Sequence, residues 1–322
     1  MPNNTGLIVN TVPRHESRQL EDDDLLPAEG ACPLCGSTAR KAFAELQRNP
    51  RVELMSCSSC HGASASRLPS DETLAAYYSG YYDTPVSSSQ DAQVGFYHYE
   101  RLARHLLRHM APHLQGPSLR ILDFGGGDGA IANAFAKQLL LLKAPDVSQV
   151  DITVVDPSGA VPQPSQDAIS MQKCRTIDEV SGRFQLVIAS ASLEHIQRPV
   201  NELRKLTALL DPGGIFYART PYASPLVRLF DALGMRWNFM YPAHLHDMGQ
   251  QFWEGYIRRD NQLELLRSTP SIVESTFDQH FFRTLAAYLL KAPWYLLGQN
   301  YGLVGGWEVF ARKANAFNSR QL

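Results

Sequence analysis

The sequence has no charge excess. Its 322 residues carry 30 Lys and Arg against 32 Asp and Glu, a formal net charge of −2. A chain that grips phosphate backbone usually carries a clear basic surplus, so composition disfavours a nucleic-acid partner. Long apolar runs are also missing. The most apolar late stretch, 281–297, is interrupted by Arg283, Lys291 and Pro293 and is too short to span a bilayer. It leaves open only a peripheral contact with a membrane surface. Residues 1–10 lack the basic start and apolar run of a secretory leader, so a cytoplasmic location is expected. Cysteine is scarce: five in all, four of them in two close pairs. That is not the spread of a secreted disulfide framework, and in a reducing compartment it reads as metal ligation.

What is present is a hydrophobic fraction of 44%, enough for a sizeable core, arranged in a definite order. Residues 1–28 are polar, with the acidic run Glu21-Asp22-Asp23-Asp24, and are expected to form a flexible tail. Residues 29–68 hold both cysteine pairs. Residues 69–116 read as a helical connector. Ser70 or Asp71 can cap a first helix carrying Leu74, Tyr77 and Tyr78, with Tyr81 and Tyr82 following. After Ser87-Ser88-Ser89, a second helix over 96–113 aligns Leu102, Leu106, Leu107 and Met110, and its His98, His105, His109 and His113 are expected at the surface or as caps. From 117 to 315 strands alternate with helices. Strands are expected at 119–124, 151–155, 168–172, 184–190 and 215–218, helices at 130–142 and 200–210, and a turn at 211–214. Two further strands, 271–277 and 306–311, would flank a helical insert at about 279–303. The alternation predicts an α/β fold with a doubly wound, mostly parallel sheet, preceded by a small zinc-ribbon module.

The module rests on Cys32-Pro33-Leu34-Cys35-Gly36 and Cys57-Ser58-Ser59-Cys60-His61-Gly62. Two Cys-x-x-Cys knuckles bring four thiolates to one tetrahedral ion at about 2.3 Å each, so Cys32, Cys35, Cys57 and Cys60 are expected to hold a structural Zn2+ with no open position. Gly36 and Gly62 should ease the knuckle turns through positive φ. His61 is not needed as a ligand, and Cys174 reads as a small buried hydrophobe.

A second motif, Asp123-Phe124-Gly125-Gly126-Gly127-Asp128-Gly129, stands where an apolar strand passes into a helix. Glycines there let the chain turn sharply and let a ligand approach the backbone. Gly125, Gly127 and Ala130 also satisfy a relaxed dinucleotide fingerprint. However, Asp123 and Asp128 would repel a pyrophosphate, whereas Asp123 can hold an ammonium group. Asp128 reads as a helix-start charge. Asp156 ends the next strand, where a carboxylate can accept both hydroxyls of a ribose. Ser192-Leu193-Glu194-His195-Ile196 and Asp211-Pro212-Gly213-Gly214 follow in order.

That ordered set, over about 119–313, resembles the class I S-adenosylmethionine (SAM)-dependent methyltransferases. The resemblance implies that Asp123, Gly125, Gly126 and Gly127 surround the methionine part of SAM and that Asp156 binds its ribose. Cys174 and Arg175 would flank the adenine, and 189–193, with Ala191, would line the methyl-transfer side. Gln185 departs from the pattern, where such families often have Asp. The chain also resembles a narrower bacterial group with an N-terminal zinc ribbon and a Tyr-rich helix, related to sugar and polysaccharide-cluster methyltransferases. Its sugar C-methyltransferases carry an extra C-terminal domain that this sequence does not include. The expected activity is therefore O-methylation of a sugar, glycan or related small hydroxylated metabolite. The alternatives are sugar C-methylation, an RNA methyltransferase gripping nucleic acid through the zinc module, a non-catalytic SAM-binding scaffold and a nicotinamide oxidoreductase.

An alcohol nucleophile needs a base, and histidine suits neutral pH. His195 follows the fourth strand. His244 and His246 lie in a loop after the fifth, with Asp247 placed to orient an imidazole. These three histidines are the catalytic candidates. Tyr78 and Tyr82 are candidates to close over the cofactor or a sugar ring, and Arg219, Thr220, Pro221 and Tyr222 to contact substrate.

Overall fold

The computed structural model describes residues 19–83, 98–142, 146–235 and 239–315, without the side chains of 79–83 and 279. Residues 1–18, Ser87–Ser89 and the start of the predicted second helix therefore lie outside the described residues, as does the Tyr82 side chain.

In chain order, β1 (Arg40–Gln47), β2 (Val52–Cys57) and β3 (Ala63–Ala65) form an antiparallel meander carrying the two cysteine knuckles. α1 (Asp71–Asp83) begins where the Thr73 N–H donates to Ser70 Oγ at 3.1 Å, as the sequence predicts for a cap. α2 (Tyr99–Met110) buries Leu102, Leu106, Leu107 and Met110, the predicted stripe. β4 (Ser118–Phe124), α3 (Ala130–Leu141), β5 (Gln149–Val155), β6 (Ile169–Cys174), β7 (Phe184–Ser190), α4 (Pro199–Ala208) and β8 (Leu210–Tyr222) follow. Then come α5 (Ser224–Ala232), β9 (His246–Asp247), α6 (Gln250–Arg259), β10 (Leu263–Pro270), α7 (Phe277–Lys291), α8 (Trp294–Leu297) and β11 (Gly305–Lys313).

The large sheet has seven strands in the order β10-β11-β8-β7-β4-β5-β6. β8, β7, β4, β5 and β6 are parallel neighbours, and β11 runs antiparallel to both strands beside it. Covered on both faces, the central strands are nearly continuous in apolar residues. Along β4, Leu119 and Ile121 join one core cluster with α2 and α3, while Leu122 and Phe124 join the other, under α4 and α6. The chain runs outward from β4 to β5 and β6, then returns to β7 on the other side of β4. The C-terminal ends of β4 and β7 thus flank a topological switch point, where a doubly wound sheet opens a crevice.

Several expectations are corrected. The flexible tail over 1–28 does not hold for its last part: Leu20 and Leu25 are buried with Val52, Leu68 and Tyr241, and Arg67 bonds Asp22 at 2.5 Å. Two apolar anchors outweigh the local polarity. The strand expected at 271–277 is absent, and 263–270 pairs with β11 instead. As an edge strand, β10 exposes much of both faces, and Leu265 is 39% exposed, which blurs its alternation. The turn at 211–214 is drawn into β8. His105 and His109 are packing residues: His105 Nε2 lies 2.7 Å from buried Glu308, and the His109 ring lies edge-on to Phe310. Among the described residues, no helix is long and apolar enough to cross a membrane.

Candidate active site and thiol cluster

The Gly-rich turn leaves β4 with Gly125 at φ 69°, Gly127 at 60° and Gly129 at 76°, backbone that L side chains rarely adopt. Space demands glycine too. A Cβ on Gly126 would stand 2.5 Å from the Asp123 carboxyl carbon, and one on Gly125 would stand 2.4 Å from Ser192 Cβ. Asp123 is 1% exposed, and its Oδ2 has no hydrogen-bond partner among the described residues. Burial pushes this carboxyl up to about 7, against the pull of the Ala132 amide in the first turn of α3; the Asp156 and Asp128 charges push the same way as burial. A buried carboxylate with an open oxygen beside a Cβ-free turn suits a cationic ligand group. Asp156 is held rigidly, its Oδ2 accepting from the Gly127 N–H at 3.0 Å and its Oδ1 from the Ser158 N–H at 2.9 Å. Each oxygen keeps a second lone pair. Asp128 Oδ1 accepts from the Ala130 N–H at the start of α3, the helix-start role expected. Cys174 is only partly buried; its carbonyl accepts from the Asp156 N–H, and Arg175 follows at the same strand end. Gln185 bridges Arg120 and Asp211 between elements, so its departure from the family pattern has a structural use.

Across the crevice, β7 exits through Ala191, which has a positive φ of 53° and is exposed. Such strain in a non-glycine residue clusters at functional sites. Next come Glu194 and His195. The His195 Nδ1 lies 2.8 Å from the Ala243 carbonyl and 2.9 Å from the Tyr78 hydroxyl. The carbonyl can only accept, so Nδ1 carries the proton and Nε2 is the basic nitrogen. His244 stands beside it, ring centroids 5.0 Å apart. Glu194 is 1% exposed, and burial pushes its carboxyl up to about 8. Sequence reasoning quoted Glu194 without giving it a role, although an acidic residue next to histidine at a strand exit was the available signal.

His246 is corrected as a catalytic candidate. It is fully buried, its Nε2–H donates to the Ile196 carbonyl at 2.7 Å, and its Nδ1 accepts from Ser64 Oγ at 2.9 Å. Burial also lowers its basicity to about 4, so it fastens the loop rather than taking a proton. Asp247 does not orient a histidine; its carboxylate caps α5 by accepting from the Ala223 and Ser224 N–H groups. Thr220 is spent on Met248 and Trp253, and Arg219 on Ser190 and Glu274. Ser64→Ala would leave a buried imidazole nitrogen unsatisfied. The expected cost is about 1–3 kcal/mol of stability, read by denaturant unfolding, and an unchanged midpoint would refute this bracing role.

The four thiols of Cys32, Cys35, Cys57 and Cys60 converge, their sulfurs all within 4.8 Å of one another, and they could hold a metal ion. Each knuckle is closed by backbone bonds, Gly36 N–H to the Cys32 carbonyl at 2.8 Å and His61 N–H to the Cys57 carbonyl at 2.9 Å. Gly36 has the expected positive φ of 78°, but in the second knuckle His61 takes it, at 59°. Gly62 is needed for space instead, since a Cβ there would meet Leu34 Cδ1 at 2.5 Å. The module is no separate appendage. Cys32, Cys57 and Cys60 share a core with Phe252 and Trp253, and β3 pairs with β9 from the loop after β8.

Fold and crevice together define a Rossmann-like α/β protein of the methyltransferase kind. The chain belongs to the methyltransferase-domain family, whose profile matches residues 96–262, just over half of its length. It is similar to the ubiquinone biosynthesis O-methyltransferase of Marinobacter nauticus, 24% identical over 150 residues, covering 46% of this chain and 61% of that one. The protein of the same name from a Caulobacter species is 26% identical over 163 residues, covering 49% and 62%. The chain thus spans less than two thirds of the curated relatives it matches. Among solved structures, magnesium protoporphyrin IX methyltransferase from Synechocystis, with bound S-adenosylhomocysteine (SAH), gives a TM-score of 0.43 at 12% identity, covering 70% of this chain and 90% of that one.

Proposed function

We propose that the protein is a SAM-dependent O-methyltransferase acting on a small hydroxylated acceptor, sugars and glycans included, with a structural Zn2+ on its four cysteines. One observation carries the reading. The open carboxylate of Asp123, beside its Cβ-free turn, lies at the end of β4, and Glu194 and His195 follow the adjacent strand β7 at the same end of the sheet, where His244 joins them from the loop between α5 and β9. When bound, SAM supplies a methyl group activated on a sulfonium. Asp123 would face the ammonium and Asp156 the ribose hydroxyls. The Gly125–Gly127 backbone admits the ligand closely, and Ala191 shapes the transfer side. The cluster beyond Ala191 takes charge of the acceptor proton, with His195 held in its Nε2-basic tautomer by Ala243. The relatives' names, as O-methyltransferases, favour an oxygen nucleophile.

The basic residues around the cysteines do not support the RNA reading. Arg40 is spent on the carbonyls of Glu29, Ala31, Ser64 and Ala65, and Arg67 on Asp22, which leaves Lys41, Arg48 and Arg51 at the surface, the last two paired with Glu45 and Glu53, and no basic excess in a chain of net charge −2. The test is calorimetry with SAH. We expect micromolar binding that weakens by about 10–100-fold in Asp156→Ala, where two hydroxyl contacts to a charged group are lost. Absence of binding by well-folded, zinc-loaded protein would remove the reading.

A further inference from the structure

We propose that Glu194, His195 and His244 form a second metal site, distinct from the four-thiol site, holding one divalent cation at the acceptor side of the crevice. This deepens the proposed function and rests on it. One donor atom from each residue lies within 4.8 Å of the other two, and His195 Nε2 stands 3.9 Å from Glu194 Oε1. Donors at about 2.0–2.2 Å from a common ion lie about 3–4 Å apart, so small side-chain rotations close the set. Two further observations point to a ligand. Glu194 is 1% exposed, and its Oε2 has no hydrogen-bond partner among the described residues, the state in which a carboxylate most needs a cation. The His195 Nδ1–H is committed to the Ala243 carbonyl, a bond that fixes the ring and aims its opposite nitrogen, Nε2, at a metal.

Two imidazoles and one carboxylate leave positions open and suit a first-row divalent ion, from the hard Mn2+ to the borderline Fe2+, Co2+ and Zn2+. An acceptor hydroxyl reaching an open position is drawn toward ionisation, its proton passing to solvent water. The same three residues that would serve as a bare base then act by lowering the acceptor's own pKa.

Mn2+ alone is the probe, titrated into zinc-loaded full-length protein and followed by electron paramagnetic resonance of the free ion. A hard ion does not displace zinc from four thiolates. The expected result is one Mn2+ bound per chain, weakened at least about tenfold in both His244→Ala and Glu194→Gln. His244 is only partly buried, so its variant keeps the test usable if Glu194→Gln unfolds. No Mn2+ uptake, or wild-type uptake by His244→Ala, overturns the proposal. SAH calorimetry on the same samples reports the cofactor reading separately: SAH binding without Mn2+ uptake sinks the cation alone.

Discussion

On the proposed zinc site, protein stripped of the ion by chelation, or carrying Cys57→Ser, is expected to lose order well beyond the cysteine knuckles, in the loop over 240–247. Cys57 and Cys60 frame the turn from β2 into β3. β3 pairs Ala63 with Asp247 and Ser64 with His246, and the Ala65 N–H donates to the Leu245 carbonyl at 2.9 Å. From there His246 reaches Ile196, and Ala243 fixes His195. The loop that sets the histidine cluster is thus sewn to the thiol module on one side and to the β7 exit on the other. A structural zinc contributes about 10–16 kcal/mol in small peptides, far more than the individual bonds of the seam. Hydrogen exchange over 240–247 should accelerate by about 100-fold or more, and the melting temperature should fall. SAH affinity should change by less than about tenfold, because Asp123 lies on β4 and Asp156 directly follows β5, neither of which belongs to the seam. Zinc-free protein with wild-type protection over 240–247 would show that the module is a passenger.

Much of this was legible in the residues. The parallel strands β4, β5 and β7 are rich in apolar residues, and β4 and β5 stop at Gly125 and Asp156 while β7 stops at Ser190, so their ends were readable to within a few positions. The four cysteines needed only spacing. What escaped was set by tertiary partners. β10 is an edge strand whose pairing with β11 determines it more than its own alternation does. β9 is two residues long and exists because β3 lies beside it. The role of His246 was misread for the same reason: a histidine in a polar loop looks available until Ser64 and Ile196, distant in sequence, take both ring nitrogens. Leu20 and Leu25 show the reverse case, where two apolar side chains in a polar stretch were enough to seat it against Tyr241 and Leu68.

The affinity for SAH is expected to fall by up to about 100-fold between pH 8 and pH 5, with Asp123 as the titrating group. In the ligand-free chain its carboxyl is buried, with Asp156 and Asp128 as the charges facing it, and it protonates at about 7. A free aspartate titrates near 3.8, so between pH 4 and 7 the folded ligand-free state binds more protons than the unfolded chain. Its stability from this group is present in acid and is lost as pH rises through 7. Binding runs the other way. The ammonium of SAH favours the ionised carboxylate, so each pH unit below about 7 costs close to tenfold in affinity until the bound-state pKa is reached. Calorimetry in buffers of different ionisation enthalpy should show close to one proton released per SAH bound at pH 6 and little at pH 8.5. Asp123→Asn removes the titration: its affinity should be low and flat across the range. A flat profile in the wild-type protein would mean that Asp123 does not meet the ammonium, and that the orphaned oxygen serves another group.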